Sequence, residues 1–412
     1  MIDRKPGKHA LAFIFITVLL DMIGLGIILP VMPDLIMDIT GLTLPQAARW
    51  GGAIYALYAL TQFIFAPVVG NLSDRFGRRP VLLVAIAGFA IDYLVMGFAP
   101  VLWVLFIGRA LSGMFGATYS TAGAYIADIT PPEERGGRFG LIGAAFGLGF
   151  IIGPAIGGPL GDIDHRLPFF VAAGLAGVNF IYGFLVLPET HKEENRRPFR
   201  WANANPVGAL MQLKQFPMVF GLLAAVALFY IGHAAFPAVW AYYGPEKFGW
   251  SNAEVGLSLA AVGVVSAIVQ GGLSGRIIKA WGQRNAAIVG FAVATAAYFA
   301  YAFAPNTAAV YVIIALAGIS GVAGPALQSI MSGQVPADMQ GALQGGVTSL
   351  GSLMMAFSPI LMTQIFFAFS NREAEPYFPG APYFLAGLLT VVAVIIIVWA
   401  TRPPGPVPVP AD

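Results

Sequence analysis

Twelve long apolar runs dominate this sequence and decide what it can fold into. A helix of about 20 apolar residues crosses the hydrocarbon core of a bilayer. Inside that core the backbone N–H and C=O groups must bond to one another, as they do in a helix, because no water is present. The first run contains Asp21 and lacks a small-residue cleavage site, so we interpret it as a retained span rather than a signal peptide. We therefore predict an all-α membrane protein with twelve transmembrane helices, near residues 10–33, 49–71, 79–98, 101–127, 138–160, 167–188, 215–241, 253–276, 285–304, 307–333, 341–368 and 381–401.

The composition excludes several other classes of protein. Charged residues make up 10% of the chain, whereas soluble proteins carry about 25%. The net charge of +2 gives no argument for a nucleic-acid partner. Without Cys, and with four His in no metal-binding pattern, the chain offers neither a metal site nor a nucleophile–base pair. We expect no enzyme activity and no cofactor.

The basic residues predict the orientation of the chain. Of the 22 Lys and Arg residues, 17 lie in the loops on the side of the N-terminus, and Arg109 lies inside a span. The other four are Arg49, Arg166, Lys247 and Arg372. Because cytoplasmic loops carry the excess of Lys and Arg, we predict a multi-pass protein of the inner membrane with both termini cytoplasmic. We expect its lipid-embedded form to be a monomer.

The chain repeats itself at a constant offset of 205 residues. "GNLSDRFGRRP" (70–80) aligns with "GRIIKAWGQRN" (275–285), "RALSGMFG" (109–116) aligns with "IALAGISG" (314–321), and Pro154 aligns with Pro359. The repeat divides the chain into an N-terminal half (1–188), a polar linker (189–214) and a C-terminal half (215–412). Duplicated halves are typical of transporters that rock around a site near the midplane.

Four stretches carry a resemblance to a known family. "GNLSDRFGRRP" (70–80) resembles the loop-2/3 signature of the major facilitator superfamily, and "GRALSGMFGA" (108–117) resembles its fourth-span motif. "GLGFIIGPAIGG" (147–158) is similar to the fifth-span antiporter motif, with Gly149, Gly153, Pro154, Gly157 and Gly158. "LDMIGLGIILPVMPDL" (20–35) is similar to the first span of the twelve-span drug:proton antiporters, especially the tetracycline efflux proteins.

The resemblance implies two pseudo-symmetric six-helix halves and secondary active export. The substrate would be a hydrophobic or amphipathic, drug-like small molecule, exchanged for protons by alternating access. A nutrient symporter or facilitator, or a transporter of a lipid-type substrate with the same fold, is the alternative. Tetracycline exporters usually carry a His in span eight and an Asp in span nine, whereas Ser266 and Ala294 stand at the matching positions here. We therefore predict weak or no tetracycline transport.

Three charged residues lie deep within the predicted spans: Asp21, Asp92 and Arg109. Ionisable groups at such depth are costly and mark functional sites. Asp92 and Arg109 are each about eight residues, or roughly 12 Å, from the turn at Pro100 and could touch. If they pair, Asp21 is the better proton carrier, and if Arg109 turns to Asp21, the roles reverse. A static ion pair is the structural alternative.

The turn between spans two and three concentrates charge around Gly77. Arg75, Arg78 and Arg79 are explained by topology alone, but Asp74 is not. The resemblance implies that Asp74 pairs with cytoplasmic helix ends and with basic residues of the 4/5 loop. It implies a cytoplasmic latch that holds the halves together in the outward-open state, with further candidate members Asp128, Arg135 and Arg138.

Polar side chains within the spans are candidates for substrate contact. Each one alone is more often an interhelical hydrogen-bonding group than a ligand contact. Gln62 and Gln328 are favoured because the exporters carry similar glutamines in their drug pocket, and His233 is also a lesser candidate for proton transfer. The full set is Gln62, Asn179, His233, Gln270, Gln328 and Gln344.

Overall fold

The computed structural model describes residues 8–116, 119–131, 134–191, 194, 196, 213–336, 339–372 and 375–402. Over these residues the chain is helical and has no strand. The N-terminal half contains α1 (Lys8–Ile28), α2 (Met32–Thr40), α3 (Leu44–Phe76), α4 (Arg78–Gly97), α5 (Leu102–Gly116), α6 (Tyr119–Ile129), α7 (Arg135–Ile163) and α8 (Leu167–Val186). The C-terminal half contains α9 (Pro217–His233), α10 (Ala235–Phe248), α11 (Asn252–Ile268), α12 (Ser274–Phe303), α13 (Thr307–Ala317), α14 (Ala323–Ser332), α15 (Gln340–Phe369) and α16 (Ala381–Ala400).

The helices give the predicted twelve spans. Eleven apolar stretches of the described residues are long enough to cross a bilayer, and one of them covers 52 residues, from Asn252 to Phe303. Gly282 divides that stretch in two, because its φ of 77° is non-helical. Its repeat mate Gly77 has a φ of 103°. Such positive φ angles favour glycine, so both turns depend on the residue that the repeat preserves.

Proline and capping residues set the ends of the helices near one face of the bundle. The first span is shorter than the sequence predicted: α1 ends at Ile28, because Pro30 has no N–H to continue it. A separate short helix, α2, follows from Met32. Asp21 therefore lies seven residues from the end of α1. Capping boxes begin α3 at Thr43 and α11 at Ser251.

Two pairs of long helices join the halves: α7 packs along α11, and α3 packs along α15. Glycines allow these close approaches. A Cβ at Gly158 would overlap the carbonyl of Asn252, and a Cβ at Gly256 would overlap that of Pro154. The same holds on the second pair, where Gly52 faces Thr363. Close backbone approach through small residues is how helices associate in lipid.

Candidate functional site: the transport pathway

A central cavity of about 950 Å³ lies between the two halves. Residues from both halves line it, including Tyr55 and Gln62 of α3 and Tyr230 of α9. It extends to Pro67 and Gln344, which lie toward the end of the bundle that carries the Gly77 and Gly282 turns. We call this the Gly77 end. Its walls are mainly apolar and aromatic with a few amide and hydroxyl groups, the usual lining of a small-molecule site.

The cavity is closed at the other end, where α11 begins, which we call the Asn252 end. The Asp162 carboxylate accepts hydrogen bonds from the backbone N–H groups of Asn252 (2.9 Å) and Ala253 (3.2 Å). The Asn252 amide group donates to Asp34 at 2.6 Å. The Arg49 guanidinium also lies 4.6 Å from the centre of the Phe367 ring. Each of these contacts joins the N-terminal half to the C-terminal half.

Asp21 is not among the residues that line the central cavity, but Met22 and Leu25 of the same helix are part of its wall. Asn179, a candidate for substrate contact in the sequence, is fully buried, and its amide oxygen accepts a hydrogen bond from the Thr17 hydroxyl at 3.2 Å. Its amide nitrogen makes no hydrogen bond to a described residue. Asn179 is not part of the cavity wall.

Asp92 and Arg109 lie on neighbouring helices, but the direct contact that the sequence suggested is not formed. Among the described residues no ion pair within 4 Å joins them. Asp92 is 0% exposed and accepts a hydrogen bond from the Ser112 hydroxyl. The Arg109 guanidinium lies instead over the Tyr58 ring, 5.9 Å from its centre.

Arg109 and Tyr58 lie where the pathway narrows toward the Asn252 end. A small void of about 80 Å³ lies beside them and shares Tyr55 and Tyr58 with the wall of the central cavity. Arg109 is 8% exposed, and two of its guanidinium nitrogens make no hydrogen bond to a described residue. A buried cation with free donors is poised to take an acceptor that enters this void.

At the Gly77 end, Arg78 is the centre of the charged cluster. Its guanidinium pairs with Asp74 at 2.6 Å and with Asp128 at 3.2 Å. Asp74 is therefore bound to its own turn rather than to Arg138, which pairs with Glu134 at 3.2 Å. The Arg135 side chain lies outside the described residues. Arg75 is exposed and packs on Phe76.

Glu189 is a member of this cluster that the sequence analysis missed. Its carboxylate accepts hydrogen bonds from the backbone N–H groups of Arg78 (2.9 Å) and Arg79 (3.2 Å), the first residues of α4. A carboxylate at a helix N-terminus is favourable because of the helix dipole. A Cβ at Gly77 would overlap this carboxylate. The position therefore requires glycine for lack of space as well as for its positive φ angle. The signal in the sequence was an acidic residue directly after span six.

The motif glycines of α7 lie where three helices meet. Gly149, Gly153 and Gly157 face the backbone of α1, whereas Gly158 faces the start of α11. Pro154 touches Gly26 and Gly256, one on each side. The motif therefore packs α1, the helix that contains Asp21, against α7, which in turn contacts α11 of the other half.

The remaining polar candidates do not share one site. Gln62 and Gln344 line the central cavity, whereas His233 and Gln270 line a second cavity with Ser266 and Ala294. Gln328 lines neither of these cavities, and its amide nitrogen has no hydrogen-bond partner among the described residues. The sequence could not separate these groups because their depths are similar.

Two six-helix halves around a cavity that is closed at one end, with ionisable groups buried beside it, define a membrane transporter. The comparisons with known proteins agree. The chain matches the Major Facilitator Superfamily over residues 14–359 and 246–412, and it belongs to that family.

Its relatives include proteins of known name. It is 41% identical to "Tetracycline resistance protein, class C" of Escherichia coli over 93% of this chain and 96% of that protein. It is also 41% identical to the class G protein of Vibrio anguillarum over 85% and 88% of the two chains. Among solved structures, an inward-facing, occupied bacterial homolog of the human lysosomal transporter Spinster shares the fold, with a TM-score of 0.77 at 18% identity over 97% and 98%.

These findings confirm the predicted fold and family and the similarity to tetracycline efflux proteins. The chain is a multi-pass membrane protein and a secondary active transporter of small molecules, not an enzyme.

Proposed function

We propose that this chain exports an amphipathic small molecule across the inner membrane in exchange for protons, and that the structure has its central cavity facing the cytoplasm. The observation that carries the proposal is the cavity of about 950 Å³, which is lined in part by the helix that contains Asp21, extends to the Gly77 end and is closed at the Asn252 end. A site that substrate and proton reach from one side at a time is what antiport requires.

The orientation rests on the excess of Lys and Arg in the loops of the Gly77 end. Single cysteines test it cleanly, since the chain has none. We expect a cysteine at Asn195 to react with an impermeant maleimide only after the cells are opened, and one at Glu375 to react in intact cells. Labelling of Asn195→Cys in intact cells would contradict the orientation.

We assign the proton to Asp21 rather than to Asp92. Asp21 is partly exposed and lies on the helix that contributes Met22 and Leu25 to the cavity wall, whereas Asp92 is fully buried and already accepts a hydrogen bond from Ser112. A carboxyl group in an apolar setting without an ion-pair partner favours its protonated form. When Asp21 releases its proton to water in the cavity, the carboxylate that remains would be stabilised by Arg109, whose guanidinium has two nitrogens without a hydrogen-bond acceptor among the described residues.

The central cavity supplies the substrate contacts. Tyr55, Gln62 and Gln344 offer hydrogen bonds on an apolar wall, which suits a molecule that is mostly apolar with several oxygen or nitrogen atoms. Because Ser266 and Ala294 supply no charge in the C-terminal half, we expect tetracycline to be a poor substrate.

Proteoliposomes that contain a pH-sensitive dye test the function. We expect several amphipathic aromatic compounds to release protons on addition, and tetracycline to do so weakly. Strong tetracycline-driven proton release, together with resistance in a sensitive host, would show that the two missing charges matter less than proposed. Absence of proton movement with any compound would contradict the antiport itself.

A further inference from the structure

A second cavity, of about 310 Å³, lies wholly inside the C-terminal half. Its walls come from α9 to α14 and the segments between them, and it shares no lining residue with the central cavity. Pockets for small molecules start at about 300 Å³, so this space is large enough for a molecule of about two rings.

The repeat shows where this cavity comes from. At the offset of 205 residues, the buried polar residues Asp92, Arg109 and Ser112 correspond to Ala297, Ile314 and Ala317. All three of these apolar residues line the second cavity, and none of its described lining residues is an acidic residue, a lysine or an arginine. The C-terminal half therefore has a pocket at the positions that correspond to the buried polar residues of the N-terminal half.

Aromatic rings form much of the wall of this pocket. The His233 ring stacks on Phe229, with centres 5.5 Å apart and planes at 14°. Its Nδ1 atom lies 3.1 Å from the Tyr298 hydroxyl, so the ring is held in one orientation. Phe236 and Tyr301 form a further ring pair at 6.3 Å. Flat aromatic molecules stack well against such walls.

Polar groups also face the pocket. Among the described residues, the side chains of Ser266, Gln270 and Ser320 make no hydrogen bond. Two breaks in the helices lie at the same place: a π-helical turn at Val269–Leu273 and a 3₁₀ turn at Gly318–Val322. Such breaks recur at functional sites. Free hydrogen-bonding groups together with ring walls point to a ligand that is aromatic and also carries a polar group.

We propose that this pocket binds an uncharged, flat aromatic molecule of about two rings with a hydroxyl or amino group, and that it does so independently of the central cavity. The site is additional to the export function proposed above and does not require it. The lack of charged lining residues excludes a charged ligand, since a charge buried without a partner is costly.

Binding of tritiated 2-naphthol to the purified full-length protein tests this, measured by scintillation proximity in detergent. We expect saturable binding in the wild type. Ala297→Phe fills the pocket and should weaken binding by roughly tenfold or more, and Ala317→Leu should weaken it as well. Ser352→Phe, which instead fills part of the central cavity, should leave naphthol binding within about twofold of the wild type while it impairs export. Naphthalene, which lacks the hydroxyl, should compete poorly.

If Ala297→Phe or Ala317→Leu does not fold, photolabelling of the wild-type protein tests whether the second cavity is the binding site. A naphthol that carries a photoreactive azide should label peptides containing residues 262–270 or 294–301. Labelling confined to peptides with Gln62 or Gln344 would overturn the proposal, as would an absence of saturable binding. Unchanged binding in a folded Ala297→Phe or Ala317→Leu protein would overturn it too.

Discussion

The two ends of the bundle differ in how the halves are joined. At the Asn252 end, hydrogen bonds from Asn252 and Ala253 to Asp162 cross from one half to the other. At the Gly77 end, the described ion pairs of Arg78 with Asp74 and Asp128 stay within the N-terminal half. The Asn252 end is therefore held shut by contacts between the halves. At the Gly77 end, these charged residues pair with one another within their own half.

The difference indicates how alternating access works in this chain. In the opposite state, the contacts at the Asn252 end must break and the Gly77 end must close. Asp74 is suited to a new contact, because its side chain is 42% exposed, whereas its partner Arg78 is buried and also pairs with Asp128. Arg78 would therefore keep an ion-pair partner if Asp74 changed its contact.

The largest effect is expected where the halves pack most closely. Gly158→Val would place a side chain against the Asn252 carbonyl. Overpacking costs about 1–3 kcal/mol, or roughly fivefold to 150-fold in the equilibrium between states. We expect the Asn252 end to open and export to fall accordingly. A reporter cysteine, Leu29→Cys, beside the small void at this end should react faster with an impermeant maleimide added from outside.

A control on the same helix isolates the contact. Gly147→Val adds the same side chain where a Cβ would meet nothing within 4 Å, so it should leave labelling and export near wild-type levels. Equal effects of the two variants would mean that the α7–α11 contact does not hold the end shut.

A smaller effect in the same direction is expected from Asp162→Ala. It removes two hydrogen bonds at the start of α11, an interaction of about 1 kcal/mol, which is roughly fivefold in the equilibrium. The Leu29→Cys reporter should again react faster. Asp164→Ala is the matched control, since the only described hydrogen bond of the Asp164 carboxylate is the one it accepts from the backbone N–H of Arg166 nearby. Slower labelling in Asp162→Ala would contradict the assignment.

The smallest effect, of opposite sign, is expected from Asp74→Asn. If Asp74 forms its functional contact only in the outward-open state, losing it favours the structure described here. The protein should fold normally and export more slowly. Labelling at Leu29→Cys should fall, by a smaller factor than the one by which Asp162→Ala raises it. Unchanged labelling and export would leave Asp74 with no role beyond its own turn.

Much of this architecture could be predicted from the sequence. Span number, the repeat and the glycine turns follow from apolar length and from local backbone demands, as Gly77 and Gly282 show. The similar depth of Asp92 and Arg109 in the membrane could also be predicted, by counting residues along two helices from the turn at Pro100.

The partners of the charged groups could not be predicted. Arg109 lies over Tyr58 rather than against Asp92, and counting residues along two helices gives their depth but not the direction in which each side chain points. Asp162 meets Asn252 across 90 positions of sequence, and no local pattern marks that pair. The second cavity could not be predicted either. An alanine such as Ala297 gives no sign of a pocket in the sequence until it is aligned with its repeat mate Asp92.

The most direct test of proton-coupled export is a paired measurement on Asp21→Asn in proteoliposomes: proton release and substrate counterflow on the same preparation. Asparagine keeps the size of the side chain but cannot carry a proton. We predict that counterflow continues while substrate-driven proton release and uphill accumulation disappear. Proton release at the wild-type ratio in Asp21→Asn would contradict the account, and its loss in Asp92→Asn alone would assign the proton to Asp92.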